Sequence, residues 1–200
     1  MTMDKKTQWM NAVRTGADRK MLASLLDGMR TQERVDAMAE VQGALVGALY
    51  DRVQGSLPLD LDDIVPPSVP AGATVTFAGR NSLPMFSRFA KRFTRTADGL
   101  VFGYNHQPYG LVGLVTGPGY FVVTCAADDH AGELLFDYTV PPPFEPLGWP
   151  AYRPNDVLGS RWVFGGLHDY VRRVAVGVLV GSAFRHGADQ HAYFTLTSEE

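Results

Sequence analysis

Apolar positions recur with two different periods along this chain, and the change from one to the other falls near residue 56. Over the first 55 residues the repeat is helical. Trp9, Met10 and Val13 mark a short amphipathic segment ended by Gly16. Asp18 is placed to cap a second helix, whose Met21, Leu22, Leu25, Leu26 and Met29 return to one side every turn. Thr31 opens a third that the pattern carries to Val53, with Val35, Met38, Val41, Leu45 and Leu49 on one face and Gly55 beyond its end. Gly43 and Gly47 lie on neighbouring turns of that helix and predict close packing on the rest of the fold, since a helical glycine otherwise costs about 1 kcal/mol relative to alanine.

From Ser56 to Gly72 the period is lost. "SLPLDLDDIVPPSVPAG" holds four prolines and three aspartates, and Pro66-Pro67 cannot continue a helix. The expected organisation is therefore a helical segment (1–55), a Pro/Asp-rich linker that wraps or docks (56–72), and a third unit (73–200). In that unit short β-branched and aromatic runs alternate with Gly, Pro and Asp. Candidate strands are "ATVTFAGR" (73–80), "LVFGYNH" (100–106), "YFVVTCAA" (120–127), "ELLFDYTV" (133–140), "RWVFG" (161–165), "YVRRVAV" (170–176), "VLVGSAFR" (178–185) and "HAYFTLT" (191–197). Strands at this spacing, with no helix-length segment between consecutive ones in the second half, predict an antiparallel barrel rather than a parallel sheet. The fold class expected is α+β, mainly β: a lipocalin-like antiparallel barrel of about eight strands with an N-terminal helical layer. Several strands are apolar on both faces, as they would be if the helices covered part of the barrel's outside.

One stretch breaks the pattern. "RNSLPMFSRFAKRFTR" (80–95) sets Arg80, Arg88, Lys91, Arg92 and Arg95 around Phe86, Phe89 and Phe93. As a strand it puts Phe89, Lys91 and Phe93 on one face; as a helix it aligns Phe86, Phe89, Ala90 and Phe93 and sends most cations to the other side. The helix accounts for more residues. It would plug the barrel mouth with its charges in water, or act as a lid whose arginines hold a carboxylate or phosphate. A membrane-surface helix is disfavoured by its few apolar anchors and by the acidic chain around it.

Composition narrows the partners. The formal net charge of −3 argues against sequence-independent nucleic-acid binding, which draws on broad positive potential. No apolar run approaches the roughly 20 residues of a membrane span, and "MTMDKKTQWM" has no apolar core of a signal peptide behind it, so no stable membrane insertion and a cytoplasmic location are expected. A homodimer is compatible with the sequence. The lone Cys125 excludes an internal disulfide; in an apolar strand it reads as a small buried hydrophobe.

Several chemistries fall away. "GLVGLVTGPGYF" matches no phosphate-binding loop, and Pro118 followed by a strand denies such a loop its helix. "DLDD" lies in a proline-rich linker and reads as solvated turn carboxylates. No G-x-S-x-G opens a helix. His186 and His191 bracket "GADQ", read as a four-residue hairpin tip, and two ligands do not make a zinc site. No metal and no cofactor is expected.

Polar groups inside apolar strands remain: Tyr104, Asn105 and His106, then Asp137 and Tyr138, then His168-Asp169. Buried, such groups must be hydrogen-bonded or change protonation state, and Asp137 paired with Arg172 or Arg173 is the structural alternative. The stretches "GRNSLPMFSRFAKRF", "GYNHQ", "TGPGYF", "DYTVPP", "GWPAYRPN" and "VRRVAVGVLVGSAFR" resemble an uncharacterised group of bacterial proteins, the last of them also lipocalin-like small barrels. The resemblance spans about residues 73–197, leaves the helical N-terminus out, implies a closed barrel and carries over no catalytic residue.

A barrel of this size holds one small ligand. The expected function is cofactor-independent acid/base chemistry of isomerase, cyclase or lyase type on a small, largely apolar metabolite, with an anionic group as an option. His106 or His168 would move protons with Asp137, Tyr104 or Tyr138 would donate a hydrogen bond, and Arg80, Phe86, Arg88, Phe89 and Asn105 would hold the ligand. A non-catalytic carrier and a haem-binding barrel with an axial histidine are the alternatives.

Overall fold

The computed structural model describes residues 3–83, 87–106 and 117–200. Phe86 and most of the glycine-rich run at 110–121 lie outside them. Eight strands close into one antiparallel barrel: β1 (Val75–Asn81), β2 (Arg88–Arg95), β3 (Val101–His106), β4 (Tyr120–Cys125), β5 (Leu134–Asp137), β6 (Leu167–Ala175), β7 (Val178–Arg185) and β8 (Ala188–Ser198). Each strand pairs with the next, and β8 returns to β1 with Phe77 opposite Ser198 and Asn81 opposite Phe194. Closure leaves no strand edge unpaired, and the alternation of side chains then decides what enters the lumen.

Four helices cover one side: α1 (Lys5–Thr15), α2 (Arg19–Asp27), α3 (Thr31–Met38) and α4 (Ala44–Arg52). Trp9, Leu22, Leu26, Val46 and Leu49 pack with Val174, Ala175, Val178 and Val180 from the outer face of β6 and β7 in one core. This second core is why those strands are apolar on both faces. Asp18 caps α2 as expected, accepting from the Lys20 and Met21 amides. Gly47 fits because a Cβ there would lie 2.9 Å from the Tyr193 ring on β8. The third helix differs from expectation. It is two helices broken at 39–43, where Gly43 takes φ 56°, a conformation that glycine adopts without strain. Its first residue is Thr31, but the cap is Arg30, whose amide donates to Glu33.

The linker docks on the barrel. Asp60 caps a 3-10 turn at Leu61–Asp63, while Leu59, Ile64 and Val65 join Val75, Phe93, Val101 and Leu134 at one end of the lumen. Asp62 and Asp63 are not simply solvated: they pair with Arg95 and Arg173. That end is sealed.

Three readings of local structure are corrected. Residues 88–95 form a strand, so the helical lid does not exist there; Phe89 and Phe93 are four apart, a spacing that satisfies both periods, and pairing with β1 and β3 selects the extended form. The run at 161–165 is not a strand: 161–164 are the last residues of α5 (Leu158–Phe164), and Gly165 is its C-cap. The hairpin between β7 and β8 turns at His186-Gly187, both at positive φ, and not across four residues.

Candidate functional site

Inward positions sort the barrel into a filled half and a hollow half. Towards the linker, Phe93, Phe121 and Phe136 pack against one another with ring centroids 5.1–5.6 Å apart, and Phe77 packs edge-on against Phe93. Beyond them lies a cavity of about 520 Å³, within the range of small-molecule sites. Leu83, Phe89, Val163, Phe164, Leu167 and Phe194 form its apolar wall, and Asn81, Lys91, Asn105, Tyr138 and Asp169 are its polar groups.

Helix α5 covers this hollow. Phe164 stacks on Tyr138 with centroids 5.5 Å apart and planes at 4°, and it lies over Gly119, where a Cβ would come within 2.4 Å of its ring. The Arg185 guanidinium on β7 donates to the carbonyls of Trp162 and Val163, holding the helix at its last turn. Trp162 itself is exposed. A short helix therefore roofs the lumen from the connection between β5 and β6.

Four side chains meet at the cavity floor, three from β2, β3 and β6 and the fourth, Tyr138, from the residue just past β5. Lys91 Nζ donates to Asn105 Oδ1 at 2.8 Å, to Asp169 Oδ2 at 3.1 Å and to the Tyr138 hydroxyl. Tyr138 donates to Asp169 Oδ2 at 3.0 Å and accepts from Asn105 Nδ2 at 3.1 Å. Asn105 Nδ2 also reaches the Gly119 carbonyl. All hydrogen bonds to the Asp169 side chain fall on Oδ2, so Oδ1 has no partner among the described residues.

Lys91 and Asp169 are almost fully buried, their side chains 3% and 5% exposed. Around the Lys91 ammonium stand the rings of Phe121, Phe194, Tyr138, Phe136 and Phe89, with centroids 4.7–5.8 Å from Nζ, a distance at which an aromatic face attracts a cation. Burial nevertheless pushes the Lys91 pKa below its ordinary value, with Asp169 opposing the shift. Burial, reinforced by the Asp169 charge, holds the Tyr138 phenol well above its own. Lys91 is drawn towards its neutral amine and Tyr138 is kept as a proton donor.

The fold and this floor define a closed eight-stranded barrel with a ligand-sized hollow at one end. No family model matches the chain, and neither do any curated proteins or solved structures.

Of the residues singled out from sequence, Phe89, Asn105 and Tyr138 lie together at the cavity. Phe86 lies outside the described residues, and the remaining ones point elsewhere. Tyr104 packs on the barrel's outside against Trp149 and Tyr120, and His106 Nδ1 lies 3.3 Å from its hydroxyl. Burial, then the Arg92 charge, lowers the His106 pKa. Asp137 and His168 form an outer-face pair at 3.3 Å, and Asp137 also accepts from the Thr139 amide at 2.7 Å. Arg172 and Arg173, the partners considered for Asp137, go to Glu133 and Asp63. Arg80 donates to the Ala39 carbonyl and, with Arg88, borders a groove against α3 outside the lumen. Cys125 is exposed rather than buried, because its strand ends there.

Lys91 and Asp169 were missed as site residues, although the strand alternation carried a signal. Lys91 shares a face with Phe89 and Phe93, and a lone charge on an inward apolar face requires a partner. Among the described residues no group of three His, Cys, Asp or Glu is arranged to hold a metal, and no helix is long and apolar enough to cross a membrane.

Proposed function

We propose that the hollow half of the barrel takes in a small, largely apolar molecule and acts on it by acid/base chemistry of isomerase, cyclase or lyase type without a cofactor, working in the cytoplasm. The observation that carries the reading is the position of the Lys91–Tyr138–Asp169 cluster on the floor of an apolar cavity, where proton-transfer groups face whatever fills it. Asp169 Oδ1 is a base with no partner among the described residues, Tyr138 is an acid, and Lys91 is an amine in hydrogen-bond contact with both side chains. Among the described residues lining the cavity, Lys91 is the one cation, and it already has a carboxylate partner. That balance favours a neutral polar end on the ligand over the anionic one.

The full satisfaction of the Lys91 donors by protein acceptors is what favours a carrier as second reading. A histidine-ligated haem has less support, because none of the five histidines lines this cavity. Native mass spectrometry of protein purified from its own host identifies a retained molecule, and incubation with that molecule separates the readings. Conversion that is lost in Tyr138→Phe supports catalysis; a compound returned unchanged contradicts it and supports carriage.

A further inference from the structure

We propose that Lys91 condenses with an aldehyde or ketone carbonyl on the bound molecule to form a Schiff base, with Asp169 as counter-ion and Tyr138 and Asp169 as the groups that move the protons. The inference rests on the reading of the hollow as a ligand site and deepens it by naming the substrate class, a small apolar carbonyl compound.

The geometry meets each requirement of the reaction. An amine becomes nucleophilic when a desolvated, apolar setting weakens its hold on the proton. Lys91 Nζ is surrounded by five rings yet lies at the cavity floor rather than beneath a sealed core. A base to take its proton, Asp169 Oδ2, is 3.1 Å away. A phenol to protonate the developing alkoxide is in direct hydrogen-bond contact with both.

The steps balance without an outside reagent. The ammonium of Lys91 passes one proton to Asp169, and the nitrogen lone pair attacks the carbonyl carbon while the C=O π pair moves onto oxygen. That oxygen takes a proton from Tyr138, which regains one from the nitrogen through the network, giving a neutral carbinolamine. The C–O bond then breaks with its electron pair on oxygen, the nitrogen lone pair forms the C=N bond, and Asp169 returns its proton to the departing hydroxyl. Ammonium plus carbonyl yields iminium plus water, with one positive charge before and after. The iminium keeps a single N–H for Asp169, and its charge sits in the same aromatic cage. Asn105 and Tyr138, released from Lys91, are left to hold the expelled water.

The test uses the intact protein with 2-naphthaldehyde, and with 2-naphthalenemethanol as the analogue that fills the cavity but cannot condense. Aldehyde and cyanoborohydride are added at pH 7, and peptides are mapped for naphthylmethyl groups on the four lysines, Lys5, Lys6, Lys20 and Lys91, and on the terminal amine. The expected result is labelling of Lys91 at least tenfold faster than at any other amine, saturable in aldehyde and suppressed by the alcohol. Lys91→Met should lose this label; should that variant fail to fold, suppression by the alcohol on wild-type protein carries the test. If the alcohol binds and Lys91 labels no faster than Lys20, the Schiff base is overturned while the ligand site stands. If neither compound binds, both are overturned.

Discussion

Lys91 Nζ and Asp169 Oδ2 meet 3.1 Å apart across the lumen, from β2 and β6, two strands that are not neighbours in the sheet. The barrel wall alone does not require this contact. A buried pair of this kind gains less than its Coulomb attraction implies, because both charges leave water, but removing one partner strands the other.

Lys91→Met and Asp169→Asn should therefore each lower the unfolding free energy by about 3–5 kcal/mol, and the double variant should lose clearly less than the sum. Urea denaturation of the four proteins measures this. Additive single losses below about 1 kcal/mol would mean that the two groups do not depend on each other.

Stability should also depend on pH through the same lysine. The folded pKa of Lys91 is lowered from 10.5, so between that lowered value and 10.5 the unfolded chain binds a proton that the folded one lacks. Stability then rises with pH across this window, by at most about 1.4 kcal/mol per pH unit for one proton, and the Lys91 contribution is flat above it. Tyr138 acts in the opposite sense: raised above 10.0, it keeps its proton in the folded state, and stability falls as pH climbs past that value. The difference between wild type and Lys91→Met, followed by denaturation midpoints from neutral to alkaline pH, should carry the rising limb; identical profiles would contradict it.

The roof should loosen without harm to the barrel. Arg185→Ala removes donors from the Trp162 and Val163 carbonyls. With each of the two hydrogen bonds contributing about 1 kcal/mol net, amide exchange in Leu158–Phe164 should speed up about thirtyfold. Exchange in β3 and β4 should stay as it was. Equal acceleration everywhere would show that Arg185 supports the whole fold rather than the roof.

The barrel and the helical layer were legible because alternation and turn residues are local signals, and Asp18 and Gly16 even mark where helices begin and end; the number of strands agreed only because 161–165, counted as a strand, is offset by 88–95, read as a helix. The site was only half legible. Tyr138 and Asn105 stood out as polar groups in apolar strands, but so did Tyr104, His106, Asp137 and His168, which face outwards. Which face is inward depends on register: Lys91 pairs with Asn105 and with Phe77 only in the closed sheet. The outer face of β3 and β4 is also apolar, being covered by Phe144, Trp149 and Tyr152, so hydrophobicity could not tell inside from outside there. The roof was misplaced for a related reason. "RWVFG" has a strand-like composition, yet α5 is held by long-range contacts to Tyr138 and Arg185 that no local pattern encodes.

Whether the hollow above Lys91 admits a guest is decided by titrating the protein with a neutral, environment-sensitive naphthalene fluorophore and repeating the titration on Ala183→Trp. Ala183 lines the cavity from β7, and an indole there should project into the hollow and obstruct it. Saturable one-to-one binding with a blue-shifted emission is expected in the wild type, and its loss in a variant that still unfolds cooperatively. Binding that is unaffected by the tryptophan, or no binding to the wild type, would contradict it.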